Sequence, residues 1–372
     1  MFRRHSPIAV ALVAATAVLA SAMLASAGPA AAMETSAREA ILMDYDTGQI
    51  LFSKDADQPM PPASMTKIMS VFLAFERLKD GRLKETDEIP ISENAWRKGG
   101  SKMFVEVGTR VPVSDILQGI IVQSGNDATI ALAEAIAGSE EAFADLMTER
   151  AHELGLTNSN FRNSTGWPDP DHRTTAHDLA KLAAMVIRRF PEHYALFSEK
   201  SFTYNDIKQG NRNPLLYKNM GADGLKTGHT ENAGYGLTAS AKRGGRRLIL
   251  VVNGLKSVRE RSDESERLLE WGFREFEQVT LAKQGMPVET AEVWLGDKAK
   301  VPLVSDRDIN LSIRRTARKD MTVTVEYTGP IPAPIMAGQP IAMLKVSGPD
   351  MEDQSFPLYA GADVGPGIQR KA

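Results

Sequence analysis

The sequence predicts an α/β domain followed by a small all-β domain. Apolar β-patterns stand at 40–53 and 235–252, and most of the segments between them have the period of helices. Beyond Gln278 only short alternating segments remain, separated by Gly, Pro and Asp turns, a pattern typical of a β-sandwich. We therefore expect the two ends of the first domain to share a sheet, with helices packed on it.

The composition excludes several classes of function. The 372 residues include 44 Lys and Arg against 47 Asp and Glu, a formal net charge of −3. Phosphate binding requires clustered Lys and Arg, and there is no long basic run, so we expect no nucleic-acid partner. With no Cys and six His that do not pair at metal-ligand spacing, the sequence predicts neither a metal site nor a cofactor.

The first 32 residues have the pattern of a secretory signal peptide. Arg3 and Arg4 precede an apolar run over 7–24, and small residues continue to Ala32. An uncleaved membrane anchor is the alternative, because the apolar run approaches spanning length. Ala-x-Ala sites end at Ala27 and Ala32, and we expect cleavage after Ala32. Export of a chain without Cys fits a bacterial periplasm.

Periodicity predicts the elements of the first domain, residues 33–277. The expected order is a hairpin over 40–53, a buried helix over 64–79, helices over 113–123, 128–137, 139–154 and 175–188, strands over 235–242 and 247–252, and a helix over 262–276. The β-domain, residues 278–365, is expected to contain strands at 293–295, 309–313, 321–327 and 341–346. Residues 366–372 form a short tail.

Ser64-Met65-Thr66-Lys67 is the first motif that carries chemistry. It places a hydroxyl and an amine three residues apart at the start of a helix. Burial lowers the pKa of a Lys amine, which can then act as a base toward Ser64. Taken alone, this spacing is more often a helix cap beside a solvated Lys.

Two further motifs follow in the chain. Ser124-Gly125-Asn126 stands at a predicted break between two apolar helices, and Lys226-Thr227-Gly228 at the start of a predicted strand. Each has a purely structural explanation as a cap or a turn. In this order, however, S-x-x-K, S-x-N and K-T-G are the three elements of serine β-lactamases and penicillin-binding proteins.

The chain resembles the low-molecular-mass D-alanyl-D-alanine carboxypeptidases of the penicillin-binding protein 5 and 6 type. Similar segments surround all three motifs, at 62–67, 122–128 and 223–230, and recur at 163–166 and 268–273. The resemblance implies the penicillin-binding or β-lactamase-like fold, an antiparallel sheet with helices on both sides and a helical subdomain, followed by the β-sandwich. It also implies a serine peptidase mechanism.

The resemblance assigns roles to residues. It implies that Ser64 is the nucleophile, that Lys67 takes its proton, and that Ser124 and Lys226 relay a proton to the leaving amine. The substrate-binding residues that it implies are Asn126 for an amide, Thr227 and Arg261 for the terminal carboxylate, and the backbone N–H of His229, with that of Ser64, for the oxyanion. Arg259 is the alternative to Arg261, because the two would share a face of a strand.

The implied reaction removes the terminal D-alanine from peptidoglycan pentapeptides through an acyl-enzyme that β-lactams also form. A D,D-endopeptidase, a β-lactamase and a catalytically silent wall-binding protein are the alternatives. Relatives of this type often end in an amphipathic helix on the inner membrane, but residues 360–372 contain three Gly, one Pro and almost no apolar face. We therefore expect a periplasmic enzyme that is soluble or peripherally associated with that membrane.

Overall fold

A computed structural model describes residues 33–349 and 351–367. The predicted signal peptide and the last five residues of the tail lie outside the described residues, so the expectations for them stay predictions. Within the described ranges, no helix combines the length and the apolar character that crossing a bilayer requires.

The first domain has the predicted alternation of strands and helices. Its strands are β1 (Glu39–Asp44), β2 (Ile50–Lys54), β3 (Glu88–Pro90), β4 (Arg110–Pro112), β5 (Ser201–Tyr204), β6 (Ile207–Gly210), β7 (Ala222–Thr230), β8 (Gly234–Arg243) and β9 (Arg246–Leu255). Its helices are α1 (Lys67–Lys79), α2 (Glu93–Arg97), α3 (Val113–Ile121), α4 (Asn126–Ala137), α5 (Glu140–Glu153), α6 (Ala176–Arg189), α7 (Pro191–Tyr194) and α8 (Val258–Glu275).

The central sheet joins the two ends of this domain. Its order is β2-β1-β9-β8-β7, with every pair antiparallel, so β7 is an edge strand. One face carries Ile41 and Val251 into the same apolar core as α6. On the other face, Gly272 of α8 lies directly against Leu42 and Leu248, where a Cβ would be 2.5 Å from Leu42. Helices therefore cover both faces, as predicted.

Helix α1 is buried along most of its length, because it packs on α3, α4, α5 and α6. Its aromatic side chains Phe72 and Phe75 are fully buried. The helix begins at Lys67 rather than at Ser64, since Ala63–Thr66 forms a separate 3₁₀ turn. This turn places the nucleophile candidate on the irregular backbone in front of the helix.

Besides the start of α1, three further predicted boundaries near the site differ from the structure. Helix α4 begins at Asn126, so the break between α3 and α4 spans residues 122–125. Lys226 to Gly228 lie within β7 rather than at its start. Helix α8 begins at Val258, because Ser257 caps it by accepting a hydrogen bond from the N–H of Glu260. Arg259 and Arg261 are therefore helical, and the prediction that they share a strand face is wrong.

Within the residues that the structure describes, the β-domain contains two sheets. Its strands are β10 (Phe276–Ala282), β11 (Pro287–Trp294), β12 (Lys300–Val304), β13 (Ile309–Arg314), β14 (Thr322–Glu326), β15 (Ile331–Pro332), β16 (Pro340–Ser347) and β17 (Gln354–Ala360). Strands β10 and β13 pair with each other, and a six-stranded sheet has the order β14-β16-β17-β12-β11-β15. Side chains of both sheets, including Ala282, Ile309, Leu303 and Leu344, share one core.

A buried carboxylate links the central sheet to the β-domain. Asp44, at the end of β1, is fully buried and accepts hydrogen bonds from Arg246 Nε at 2.7 Å and from Ser312 Oγ of β13 at 2.7 Å. Gln49 binds both the N–H and the C=O of Ser312. The chain passes from α8 into β10 without a loop, and the predicted boundary after residue 277 stays a prediction.

Candidate active site

Ser64 and Lys67 meet at the start of α1. Lys67 Nζ donates a hydrogen bond to Ser64 Oγ at 3.1 Å. Ser64 is half-buried, and Ala63 before it has a φ of +47°, in the left-handed region. The turn thus directs the hydroxyl toward the amine.

Lys67 is almost completely buried and has three hydrogen-bond acceptors. Besides Ser64, its Nζ donates to Asn126 Oδ1 at 2.7 Å and to the carbonyl oxygen of Thr165 at 2.9 Å. Burial, with a smaller contribution from the nearby Arg212 charge, lowers the pKa of Lys67 from 10.5 to about 7. The amine is therefore poised to gain or lose a proton near neutral pH.

Asn126, the first residue of α4, contacts Lys67, and Ser124 lies two residues before it in the break between α3 and α4. Ser124 has a φ of +60°, and its Oγ is buried without a hydrogen-bond partner among the described residues. Asn126 uses both ends of its amide, since Oδ1 accepts from Lys67 and Nδ2 donates to the carbonyl oxygen of Gly99 at 2.9 Å. The structure thus gives Asn126 a role in holding the lysine.

Strand β7 contributes a second buried lysine. Burial, and then the positive charges of Lys67, Arg212 and Arg261, lower the pKa of Lys226 well below its usual range. Lys226 Nζ donates to the carbonyl oxygen of Thr227 at 3.3 Å, and Thr227 is itself buried. The structure therefore brings the third motif into the cleft of the first.

Arg261 is buried, whereas Arg259 faces solvent. The Arg259 side chain is 91% exposed and pairs with Asp263. Arg261 Nε has no hydrogen-bond partner among the described residues, and its guanidinium lies 5.7 Å from the ring centroid of Tyr235. Burial lowers the pKa of Arg261 to about 10, so it stays charged at neutral pH. Residues two positions apart on a helix point to different sides, so Arg261 is buried while Arg259 faces solvent.

The His229 side chain belongs to the rim of the cleft. It is exposed, and its ring stacks on Tyr235 with the centroids 3.9 Å apart. The imidazole is therefore not buried with the lysines of the cleft, and the role of the His229 backbone N–H stays a prediction.

Arg212 is a fourth cation that the sequence analysis did not identify. It donates to Ser101 Oγ, and its charge lowers the pKa values of Lys67, Lys226 and Arg261. Arg212 stands in the sequence Asn-Arg-Asn, which matches no motif and no period. Only the folded chain shows that it lies beside the other three. The guanidinium groups of Arg212 and Arg261, beside two lysines of lowered pKa, make this cleft a site for an anionic group.

Comparison with known proteins agrees with this geometry. The family model described as D-alanyl-D-alanine carboxypeptidase matches residues 25–257. The chain belongs to this family of serine peptidases. A second family model, the C-terminal domain of penicillin-binding protein 5, matches residues 276–366. The predicted resemblance and fold class are thereby confirmed.

Individual relatives match over most of their length. The chain is 42% identical over 339 residues to D-alanyl-D-alanine carboxypeptidase DacC of Escherichia coli, covering 88% of this chain and 85% of the relative. Penicillin-binding protein 5 from Haemophilus influenzae matches with a TM-score of 0.81 and 39% identity, covering 90% of this chain and 98% of that structure. Penicillin-binding protein D2 from Listeria monocytogenes, in its cefotaxime-bound form, matches with a TM-score of 0.60 and 28% identity, covering 65% and 98%.

In this family member, the loop of residues 163–167, here the Thr165 loop, fixes the third acceptor of Lys67. Asn163 Oδ1 accepts from the backbone N–H groups of Thr165, Gly166 and Trp167 at 3.2, 2.8 and 2.9 Å. Ser164 donates to Glu140 at 2.7 Å, and its carbonyl oxygen accepts from Ser70 at 2.6 Å. The loop is therefore held by its own hydrogen bonds and by side chains of two helices.

Among the described residues, no group of His, Asp and Glu could hold a metal ion.

Gly166 allows the Thr165 loop to touch the turn before Ser64. Its φ is +83°, and a Cβ there would lie 1.8 Å from the carbonyl oxygen of Ala63. Gly108 has a similar φ of +78° but open space around it. Both glycines would suffer from a side chain in the left-handed backbone conformation, but only at Gly166 would the side chain also meet a neighbouring atom. Comparing substitutions at the two positions therefore separates the cost of the backbone conformation from the cost of the contact.

We predict that Gly166→Ala lowers the free energy of unfolding more than Gly108→Ala does. The left-handed backbone alone costs about 1–2 kcal/mol, and overpacking at Gly166 adds about 1–3 kcal/mol. Denaturant unfolding of both variants measures the difference. Equal losses would show that the Gly166 contact is not tight.

Proposed function

We propose that this chain is a serine-type D-Ala-D-Ala carboxypeptidase that releases the terminal D-alanine from peptidoglycan stem pentapeptides. The proposal rests chiefly on one observation, the 3.1 Å contact between Ser64 Oγ and a buried Lys67 amine whose pKa is about 7. Family membership supports the reaction class, and the two arginines of the cleft, Arg212 and Arg261, fit a substrate that ends in a carboxylate.

The first half-reaction forms an ester on Ser64. Its Oγ attacks the carbonyl carbon of the penultimate D-alanine, and the hydroxyl proton passes to neutral Lys67 Nζ. Backbone N–H groups of Ser64 and His229 stabilise the oxyanion. The C–N bond then breaks, and D-alanine leaves after its amine takes up a proton through Ser124 and Lys226. Because Lys226 is desolvated among cations, it releases a proton more readily than an ordinary lysine does.

The second half-reaction restores the enzyme. Before water attacks, Lys67 becomes neutral again by passing the proton it took from Ser64 through Ser124 to Lys226, which had given one to the amine. Water then attacks the ester carbonyl, and Lys67 accepts a proton from that water and donates it to Ser64 Oγ as the ester C–O bond breaks. The shortened peptide departs as a carboxylic acid that ionises in water. β-Lactams enter the same first step, since opening of their ring acylates Ser64 without releasing a leaving group. The cefotaxime-bound relative supports this part of the proposal.

Substrate recognition uses the edge strand and the cations. An extended peptide can pair with the free edge of β7, which supplies main-chain hydrogen bonds. Arg261 and Thr227 bind the terminal carboxylate, with Arg212 adding positive charge, and Asn126 holds the substrate amide while it anchors Lys67. An Arg fork suits a carboxylate by its two parallel donors.

We also propose that the protein acts in the periplasm, soluble or peripherally associated with the inner membrane. The basic start and the apolar run over 7–24 support export by a signal peptide ending at residue 32. The division into a peptidase domain over 33–277, a β-domain over 278–365 and a tail over 366–372 belongs to the same proposal.

Ser64→Ala should abolish both D-alanine release from a diacetyl-Lys-D-Ala-D-Ala peptide and covalent labelling by fluorescent penicillin. The exposed Ser198→Ala variant is the control and should keep both. Labelling that survives in Ser64→Ala would show that another residue is the nucleophile. Rapid turnover of penicillin by the wild type would favour a β-lactamase instead, and preference for cross-linked muropeptides would favour an endopeptidase.

The rate of acylation should rise with pH through about 7, because Lys67 acts as a base only after it loses its proton and its pKa is about 7. The rate of covalent labelling by fluorescent penicillin, measured from samples quenched at timed intervals between pH 5 and pH 9, gives this profile. Lys67→Ala should slow labelling by about 10²–10⁴-fold and remove the pH dependence. A wild-type rate that is flat across this range would exclude Lys67 as the base.

Arg261→Ala should lower kcat/KM for carboxylate-ended peptides by about 10- to 100-fold, the usual effect of losing a hydrogen bond to a charged group. β-Lactam acylation, which ring strain drives, should fall much less. Arg259→Ala is the matched control from the same helical turn and should leave both rates unchanged. Equal losses for peptide and β-lactam in Arg261→Ala would contradict its role in carboxylate binding.

A further inference from the structure

His172 is a buried imidazole to which the proposed reaction gives no role. It is 2% exposed, and the ring of Phe161 packs edge-on against it with the centroids 5.6 Å apart. Burial lowers the pKa of His172 to about 4, with the charge of Asp169 acting against this shift and that of Lys67 adding to it. The imidazole is therefore neutral across the pH range in which Lys67 titrates.

Both ring nitrogens of His172 have partners, and these partners fix its tautomer. Nδ1 lies 3.1 Å from the backbone nitrogen of Arg162, whose N–H can only donate, so Nδ1 carries no proton. The proton of the neutral ring is therefore on Nε2, which donates to Thr66 Oγ1 at 2.8 Å. A neutral imidazole has one donor and one acceptor, and the fold uses both.

The two partners belong to the two segments that surround the Lys67 amine. Arg162 directly precedes the Thr165 loop, whose Thr165 carbonyl oxygen accepts from Lys67 Nζ at 2.9 Å. Thr66 is completely buried and stands directly before Lys67, in the turn that carries Ser64. The imidazole therefore joins the loop to the turn.

The backbone that follows His172 is fixed to both of these segments. Arg173 exchanges two backbone hydrogen bonds with Asn160, at 2.8 and 2.9 Å, and Thr174 exchanges two with Met60, at 2.8 and 3.0 Å. Asn160 lies three residues before the loop, and Met60 lies three residues before the turn. The imidazole is thus attached to a support that is itself bonded next to both segments.

We propose that His172 is a positioning residue that holds the Thr165 loop and the turn before α1 at the separation that the hydrogen bonds of Lys67 require. This inference rests on the proposed function. Its ring nitrogens are occupied by the loop and the turn, so His172 acts on the reaction only through Lys67. Without this bridge, the loop moves away from the turn and water reaches the amine, which raises the pKa of Lys67 toward its ordinary value.

The test is the pH profile of acylation by fluorescent penicillin, measured from pH 5 to pH 9 in variants that lack the bridge. His172→Phe keeps an aromatic ring but neither hydrogen bond. Its midpoint should rise by about one pH unit, which lowers the rate at pH 7 by about 5-fold and leaves the rate at pH 9 nearly unchanged. Labelling that goes to completion at pH 9 also shows that the variant is folded. His177→Phe, which loses a surface hydrogen bond to Asp57, is the control and should keep the wild-type profile.

Two amide variants separate the two ends of the bridge. In His172→Asn the amide oxygen can accept from Arg162 in place of Nδ1, and in His172→Gln the amide nitrogen can donate to Thr66 in place of Nε2. Because a bridge needs both ends, each variant should shift the midpoint as His172→Phe does. Thr66→Val should also shift it, and combining Thr66→Val with His172→Phe should add no further shift.

A residue needed only for folding would lower stability, or the rate at every pH alike, without moving the midpoint. That result in His172→Phe, or a wild-type midpoint in either amide variant, would overturn the inference. So would a nitrogen NMR spectrum in which Nδ1 of His172 carries the proton. These outcomes leave the activity of the wild type intact, whereas a wild type that releases no D-alanine from a diacetyl-Lys-D-Ala-D-Ala peptide would refute the proposed function itself.

Discussion

The removal of the Lys67 amine from water is the constraint on which the site depends. A fall in pKa from 10.5 to about 7 corresponds to about 5 kcal/mol against the charged form. Three acceptors hold the amine in this buried position, and each comes from a different place in the chain, Ser64 from the turn before α1, Asn126 from α4 and Thr165 from its loop. The lysine therefore titrates near neutrality only if all three segments are in place.

The carboxylates nearest to Lys67, those of Asp127 and Glu140, bind loops around the cleft rather than the basic side chains inside it. Asp127 accepts from the backbone N–H groups of Met103, Phe104 and Val105, and thereby holds the loop before β4. Glu140 is bound to Ser164 in the same way. Both carboxylates raise the pKa of Lys67 slightly but are occupied, so the cleft keeps an excess of positive charge. A substrate carboxylate relieves the repulsion among these cations, which ties binding energy to the anionic end of the substrate.

The catalytic motifs and the strongly periodic helices and strands could be predicted from the sequence, whereas contacts between distant segments could not. The three motifs, the buried helix and the sheet closed by both domain ends follow from local pattern. Arg212 and the Thr165 loop act through neighbours remote in sequence, which no spacing reveals. Strands β12 and β17 contain Pro302 and Pro357, which argue against a strand in sequence reasoning. Arg261 lies on a helix rather than on the predicted strand, because Ser257 caps α8 and starts it one turn earlier than the pattern predicts.

The backbone around the amine is strained, and this strain locates the rigid part of the molecule. Ala63 and Ser124 both have left-handed φ values, which cost about 1–3 kcal/mol each in residues other than glycine. Such conformations persist only where the surroundings leave no alternative. Gly166 lies beside the Ala63 carbonyl and leaves no room for a side chain there, and the N–H of Asn126, two residues after Ser124, donates to the carbonyl oxygen of Ser101 at 2.7 Å. Since the strained residues are Ser124 itself and Ala63, the neighbour of Ser64, the fold sets the geometry of both hydroxyls before the substrate enters, and little reorganisation is needed as the ester forms.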